Sequence, residues 1–309
     1  MGDALNRRHF LQLGGTLAAA ALGRSAWAAE EAPRKKRAIK KAIMYATIAY
    51  PGSVLDKFQA IKAAGFEGVE PMSHMPQNEV MEALDKTGLK AASVCCSSHW
   101  SKPLSDPREK VRKEGLEGLL QALKDAQRYG ATSVLLVPGV VNKEVPYHVC
   151  FQRCVAEIRK AIPQAKDLGV KIAIENVWNN FITKPEQAKD LLDAIDSEYV
   201  GWHFDIGNTV RYNDPETWVP VIGKRILKLH IKEYSRKKAK ESVDPYKGFA
   251  VRLLEGTNHW PAIMKALGDA GYQGWGISEQ PGDQSRDAAA LKDLSDRMSR
   301  IFASYEHIN

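Results

Sequence analysis

Cysteine is scarce in this chain, four residues in 309. None of the four falls in a C-x-x-C pair, so a thiolate metal site has no framework. Cys95 and Cys96 are adjacent and, on a strand, point to opposite faces. Cys150 and Cys154 lie one helical turn apart, where disulfide geometry is hard to satisfy. Buried free thiols are expected instead. No apolar run approaches the roughly 18 residues of a membrane span. The G-x-G-x-x-G, P-loop and G-x-S-x-G motifs are absent as well, which leaves nucleotide and serine-hydrolase readings without support.

The folded part also lacks an excess of one charge. The net charge is +7, yet nine of the 44 basic and three of the 37 acidic residues lie in residues 1–41. Residues 42–309 are therefore almost neutral, without the basic footprint a nucleic acid requires. With 44% hydrophobic and 26% charged residues, the composition is that of a globular protein and excludes a disordered or collagen-like chain.

What the N-terminus does hold is a targeting pattern. Asn6-Arg7-Arg8-His9-Phe10-Leu11-Gln12 precedes a weakly apolar, Gly/Ala-rich stretch from Leu13 to Leu22. Ala26-Trp27-Ala28 then offers small residues to a signal peptidase. Residues 1–28 read as a signal peptide, and the paired arginines followed by Phe-Leu give it the twin-arginine character. Residues 29–41 read as a basic linker. The expected location is periplasmic, or otherwise exported by the twin-arginine route, with no stable membrane anchor.

From residue 42 onward, short β-rich runs alternate with longer amphipathic ones. Strands are predicted at Ala42–Ile48, Gly68–Met72, Lys90–Ser97, Ser133–Pro138, Lys171–Val177, Val200–Ile206, Ile226–Glu233 and Gly274–Gln280. Helical patterns lie between them at Ser53–Ala64, Glu79–Lys86, Arg108–Tyr129, Tyr147–Leu168, Lys184–Ile195, Glu216–Ile222 and Trp260–Ala270, and Asp287–Tyr305 closes the chain. Strand–helix alternation argues for parallel βαβ units. Eight units without a break in composition predict one α/β domain, a (β/α)8 TIM barrel over residues 42–309.

Interior barrel strands should read as apolar runs, but four successive ones end in an ionisable residue. These are Ile172-Ala173-Ile174-Glu175, Trp202-His203-Phe204-Asp205, Leu227-Lys228-Leu229-His230 and Gly276-Ile277-Ser278-Glu279. The C-terminal ends of barrel strands form the catalytic face. Three carboxylates gathered there would repel one another. With one imidazole they become a shell for one divalent cation, with Mn²⁺ first and Mg²⁺, Co²⁺ or Zn²⁺ as alternatives. A lone Glu among them would read as a salt-bridged barrel residue; four at matching depth read as a metal site.

These residues carry a resemblance. Residues 42–309 resemble the xylose isomerase-like TIM barrels (sugar phosphate isomerases/epimerases), a family that includes ketose 3-epimerases and endonuclease IV. The matching segments are Gly65-Phe66-Glu67-Gly68-Val69-Glu70, Ala173-Ile174-Glu175-Asn176, His203-Phe204-Asp205-Ile206-Gly207-Asn208, Lys228-Leu229-His230-Ile231-Lys232-Glu233 and Ser278-Glu279. The resemblance implies metal ligation by Glu175, Asp205, His230 and Glu279, proton exchange by the two glutamates, and a substrate contact from Arg236. The nuclease branch would need an Asp-x-His pair downstream of His230, and none occurs. Where the epimerases carry a His three residues after the Asp, this chain has Asn208, which can hydrogen-bond a sugar oxygen but cannot carry a proton at neutral pH.

Other residues complete the expected pocket. A sugar ring is expected to lie on Trp178. Glu70 ends the second strand, His99 and Trp100 follow the third, and Lys232 shares the inward parity of His230. Lys228 is expected to pair with a carboxylate deeper in the barrel. The expected chemistry is proton abstraction beside a carbonyl of a non-phosphorylated keto-sugar through an enediolate, giving isomerisation or epimerisation. The same enolate can instead expel a leaving group, making a lyase or hydratase on 3-keto-glycosides. A non-catalytic sugar-binding barrel is the reading from another class. The expected partner is a small-molecule sugar and not a nucleic acid, and the sequence is compatible with a homo-oligomer.

Overall fold

A computed structural model of the protein describes residues 39–304. The expected signal peptide and nearly all of the basic linker lie outside the described residues. Nine strands run in chain order: β1 (Ile39–Met44), β2 (Gly68–Glu70), β3 (Lys90–Ala91), β4 (Val94–Cys95), β5 (Ser133–Leu136), β6 (Lys171–Glu175), β7 (Val200–Asp205), β8 (Ile226–Ile231) and β9 (Gly274–Ser278). Every pairing is parallel, in the order β3-β2-β1-β9-β8-β7-β6-β5-β4.

The ring closes through a single stretch of chain. The third strand, expected as one piece over Lys90–Ser97, is interrupted at Ala92 and Ser93. Its first half, β3, pairs with β2; its second half, β4, pairs with β5 and is bridged by Met72 from beyond β2. Ser93 turns its hydroxyl to the Ser133 carbonyl (3.2 Å) at the break. Eight sequence units therefore give nine strands of one barrel.

Around it pack α1 (Val54–Ala63), α2 (Gln77–Thr87), α3 (Glu109–Tyr129), α4 (Tyr147–Leu168) and α5 (Pro185–Ile195). The short α6 (Ile206–Thr209), α7 (Val219–Ile222) and α8 (Arg236–Lys240) follow, then α9 (Trp260–Asp269) and α10 (Ala288–Ala303). The long helices form where apolar residues recur at helical spacing: α4 buries Cys150, Cys154, Ile158, Ala161 and Ala165 on one stripe. Ser53 and Asp56 build a capping box at the start of α1. Gly130 and Gly169 end α3 and α4 at φ of 73° and 64°, a region that costs a side chain dearly. All four cysteines are buried and free, as expected.

Alternation along each strand separates two environments. Outward residues such as Ile172, Ile174, Phe204, Leu229 and Ile231 join the strand–helix core. Ala42, Ala92 and Ile277 form a separate small cluster in the barrel interior. Two boundaries differ from expectation. Lys40 and Lys41 belong to β1, because Lys41 Nζ reaches Ser295 and Ser299 on α10 (2.8 and 2.9 Å) and Lys40 lies over the Trp275 ring. The Glu216–Ile222 helix is two short turns, Pro215–Thr217 and α7. Among the described residues, no helix is long and apolar enough to cross a membrane.

Close strand approach generates a prediction. A Cβ on Gly68 would fall 2.7 Å from the Lys90 carbonyl oxygen and 2.7 Å from the Trp275 ring. Gly68→Ala is expected to lower stability by about 1–3 kcal/mol through overpacking. Urea titration measures it; a midpoint equal to that of the parent would mean β2 and β3 separate freely.

Candidate metal centre

Glu175 ends β6 and Asp205 ends β7; His230 is the fifth residue of β8, and Glu279 follows β9. Register brings them level: Asp205 pairs with His230 across β7–β8, and Ile231 pairs with Ser278 across β8–β9. One donor atom from each of the four lies within 4.8 Å of all the others. His230 Nδ1 is 2.8 Å from Glu175 Oε1, 3.2 Å from Glu279 Oε2 and 3.9 Å from Asp205 Oδ2.

Local sequence explains how they are held. Asp205 caps the one-turn α6, accepting from Asn208 N (2.8 Å), while Asn208 Nδ2 donates to Asp205 Oδ2 (2.7 Å) and to the Asn176 carbonyl (3.0 Å). Asn176 Oδ1 in turn accepts from Trp202 Nε1 and Asp205 N (3.0 and 3.1 Å). Gly207 lets this turn rest on the chain just past β8, since a Cβ there would meet the Lys232 carbonyl at 2.7 Å. On the other side, His230 Nε2 donates to Glu70 Oε2 (3.0 Å), leaving Nδ1 turned to the carboxylates.

The electrostatics follow from burial of like charges. Burial lifts Asp205 well above the usual carboxylate range, and it lifts Glu175 against the pull of His230. Glu279 is partly exposed, and although desolvation works the other way, Lys232 and His230 together hold it well below that range. Burial works against a charged His230, yet Glu279, Glu175 and Glu70 raise it well above an ordinary histidine. Lys232 Nζ lies 2.8 Å from Glu279 Oε2 and 3.4 Å from Asp205 Oδ2. Three carboxylates with one imidazole nitrogen, converging at a strand-end mouth, fit a hard divalent cation by number, donor type and spacing.

A cavity of about 230 Å³ opens above these groups. Of the six residues expected to hold substrate, His99, Trp178, Asn208 and Lys232 line it. Glu70 does not: it is fully buried beneath the site and serves to orient His230. Arg236 does not line it either. Its guanidinium is spent on the Val210 and Asn213 carbonyls (2.9 and 3.2 Å) and Asp214 (2.8 Å), which clamps the loop after β7. Trp178 is no open platform. Arg211 stands over its ring at 4.6 Å, Tyr246 and Phe249 pack at 4.7 and 4.9 Å between centroids, and its Nε1 donates to the Asn208 carbonyl (2.9 Å). Lys228 donates to the Thr132 hydroxyl (2.9 Å), not to a carboxylate, and burial lowers it to about 8.

Trp100, expected near the mouth beside His99, lines the cavity, and so do Tyr246 and Phe249, which the sequence did not announce. The last two come from the segment after β8, whose run Arg236-Lys237-Lys238-Ala239-Lys240 has no apolar period to announce structure. Glu233, the inverse neighbour of Lys232 in strand parity, fastens the far end of that segment: its carboxylate accepts from Leu254 N (2.8 Å), Asn258 N (3.1 Å) and Trp260 Nε1 (2.7 Å).

The family model described as "Xylose isomerase-like TIM barrel" matches residues 58–301. The chain belongs to that family. The L-ribulose-5-phosphate 3-epimerase UlaE of Escherichia coli O157:H7 is 24% identical over 251 residues, 76% of this chain and 85% of the relative. Among solved structures, a D-tagatose 3-epimerase-like protein superposes with a TM-score of 0.71 at 19% identity, over 85% of this chain and 97% of that one. The IolI protein with a bound zinc atom gives 0.72 at 16% identity, over 86% and 99%. These structural likenesses agree with the barrel described above.

His99 supplies a pH test of the site. Its Nδ1 accepts from Val137 N (3.2 Å), which places the proton on Nε2, and burial lowers its pKa from 6.5 to about 4. Between those values the unfolded chain binds a proton that the folded imidazole refuses, so this group's contribution to stability is lost as pH falls from 6.5 towards 4. From pH 7 to pH 5 the loss is about 2 kcal/mol. His99→Gln keeps an acceptor for Val137 and removes the titrating group. Its urea-unfolding free energy should change less between those pH values by about that amount; parallel pH profiles for the two proteins would show a solvated imidazole.

Proposed function

We propose that this chain is a divalent-metal-dependent epimerase or isomerase of a non-phosphorylated keto-sugar or sugar derivative. The observation that carries the reading is the convergence of Glu175, Asp205, His230 and Glu279 around one point at the floor of a strand-end cavity. The epimerase names of the relatives and the zinc in one of them support it. A bound cation, with Mn²⁺ preferred on donor chemistry, would stabilise negative charge as it develops on the substrate's oxygens.

The chain's own residues supply the remainder. Glu175 and Glu279 are the two carboxylates that can take a proton from the carbon beside the carbonyl and return one. Lys232 and His99 line the cavity and carry N–H groups that can serve as donors for substrate oxygens. Asn208 holds Asp205 and carries no proton of its own to give. The cavity lining contains a single cation, Lys232, already paired with Glu279, which supports a substrate without phosphate. The same Asn208 favours a second reading, elimination from a 3-keto-glycoside, because a protonating partner at that position is missing.

Two experiments test these proposals. With excess Mn²⁺ in D₂O, the wild type should incorporate deuterium beside the carbonyl of a recovered keto-sugar, and Glu175→Gln and Glu279→Gln should each slow uptake by about 100-fold or more. Mass detection also separates an epimer from an unsaturated product. A wild type that binds keto-sugars and never exchanges a proton is a binding protein. Export by the twin-arginine route is tested separately: Lys at positions 7 and 8 in place of Arg7 and Arg8 should retain the precursor in the cytoplasm, whereas undiminished periplasmic yield would exclude that route.

A further inference from the structure

A larger cleft lies directly beside the cavity over the metal centre. Its volume is about 540 Å³, against about 230 Å³ for the inner space. Tyr246 and Phe249 line both, so the two spaces share one aromatic wall. That wall is the short turn Pro245–Phe249. It is fastened by Tyr246 N to Asp244 Oδ1 (2.9 Å), Tyr234 Oη to the Pro245 carbonyl (3.0 Å) and Ser235 N to the Gly248 carbonyl (2.8 Å). None of these bonds involves the four candidate ligands.

The lining of the outer cleft indicates its occupant. Three cations, Lys238, Lys247 and Arg252, are matched there by three carboxylates, Asp244, Glu255 and Asp283. A phosphate or carboxylate subsite needs a surplus of cations. A balanced set instead offers donors and acceptors to hydroxyl groups and prefers neither sign of charge. Tyr246, Phe249 and Val251 add apolar surface on which the C–H face of a sugar can rest. Exposure points the same way. Only three large hydrophobic side chains are exposed among the described residues, and two of them, Trp100 and Tyr246, line the inner cavity at 54% and 56% exposure.

We infer that the substrate is a two-ring glycoside: the keto-sugar ring sits over Glu175 and Glu279, and a second, uncharged sugar ring joined to it by a glycosidic bond occupies the outer cleft across the Tyr246–Phe249 wall. The inference rests on the sugar-epimerase reading and extends it from one ring to two. Contacts to the remote ring provide binding energy that positions the reacting one, so their benefit appears in kcat/KM.

Deuterium uptake by the Mn²⁺-loaded protein tests it on two matched pairs. One pair is D-fructose and its 4-O-galactosyl derivative. The other is methyl 3-keto-β-D-glucopyranoside and cellobiose oxidised to the ketone at C3 of its non-reducing ring. In at least one pair the two-ring member is expected to exceed its partner in kcat/KM by about tenfold or more. The Arg252→Ala/Asp283→Ala double variant, changed only at surface positions of the outer cleft, should bring that ratio down to about one, with thermal melting as the control for folding. Uptake on a one-ring compound with a wild-type ratio of one or less, or a ratio that the double variant leaves in place, overturns the outer subsite and leaves the epimerase reading standing. No uptake on any of the four compounds overturns that reading and the subsite with it.

Discussion

Three carboxylates side by side at one end of a barrel, two of them buried and the third at the edge of the cavity, are the constraint on which the surrounding structure depends. In water they would repel weakly; sheltered from it, each raises the cost of ionising the next. Positive charge must therefore be brought to them. His230 reaches Glu175 and Glu279 through one nitrogen, and Lys232, just past the end of β8, reaches Glu279 and Asp205. β8, which holds His230 and leads into Lys232, stands between β7, which ends in Asp205, and β9, which leads into Glu279. A divalent ion meets the same electrostatic demand more fully, which is why the geometry and the proposed chemistry agree.

Glu70 shows how far the arrangement extends beneath the surface. Being fully buried, it has no route to a sugar, but its hydrogen bond decides which imidazole nitrogen of His230 faces the carboxylates. Asn176 and Asn208 perform the corresponding service for Asp205, through side-chain amides that bond backbone and carboxylate together. The polar residues at this end of the barrel thus form one connected set, in which the outer members fix the inner ones.

The parts of this structure governed by periodicity could be read from the sequence. Alternating apolar runs marked the strands, and helical stripes such as that of α4 matched within a residue or two. The four ligand candidates were legible because an ionisable residue at the end of a buried strand contradicts its surroundings. Directions of side chains outside regular elements were not legible. Arg236 and Glu70 have the right neighbours in sequence, but one turns back to the loop after β7 and the other lies below the mouth. The aromatic wall of Tyr246 and Phe249 was invisible for a different reason: it stands in a charged, aperiodic stretch whose conformation is set by tertiary contacts. The break in the third strand, likewise, falls where a serine hydroxyl meets a carbonyl on the neighbouring strand, a contact no local pattern announces.

The stretch between β8 and α9 has a consequence for how such an enzyme can change. It contributes walls to both cavities and no candidate ligand, and the Glu233 carboxylate ties its far end back to the barrel. In the proposed reading, the outer wall and the two proton-transferring carboxylates therefore sit on separate pieces of chain. On that reading, substitutions in this loop reshape the outer wall while the strand-end carboxylates keep their places, so the outer cleft is the part of the barrel freest to be rewritten.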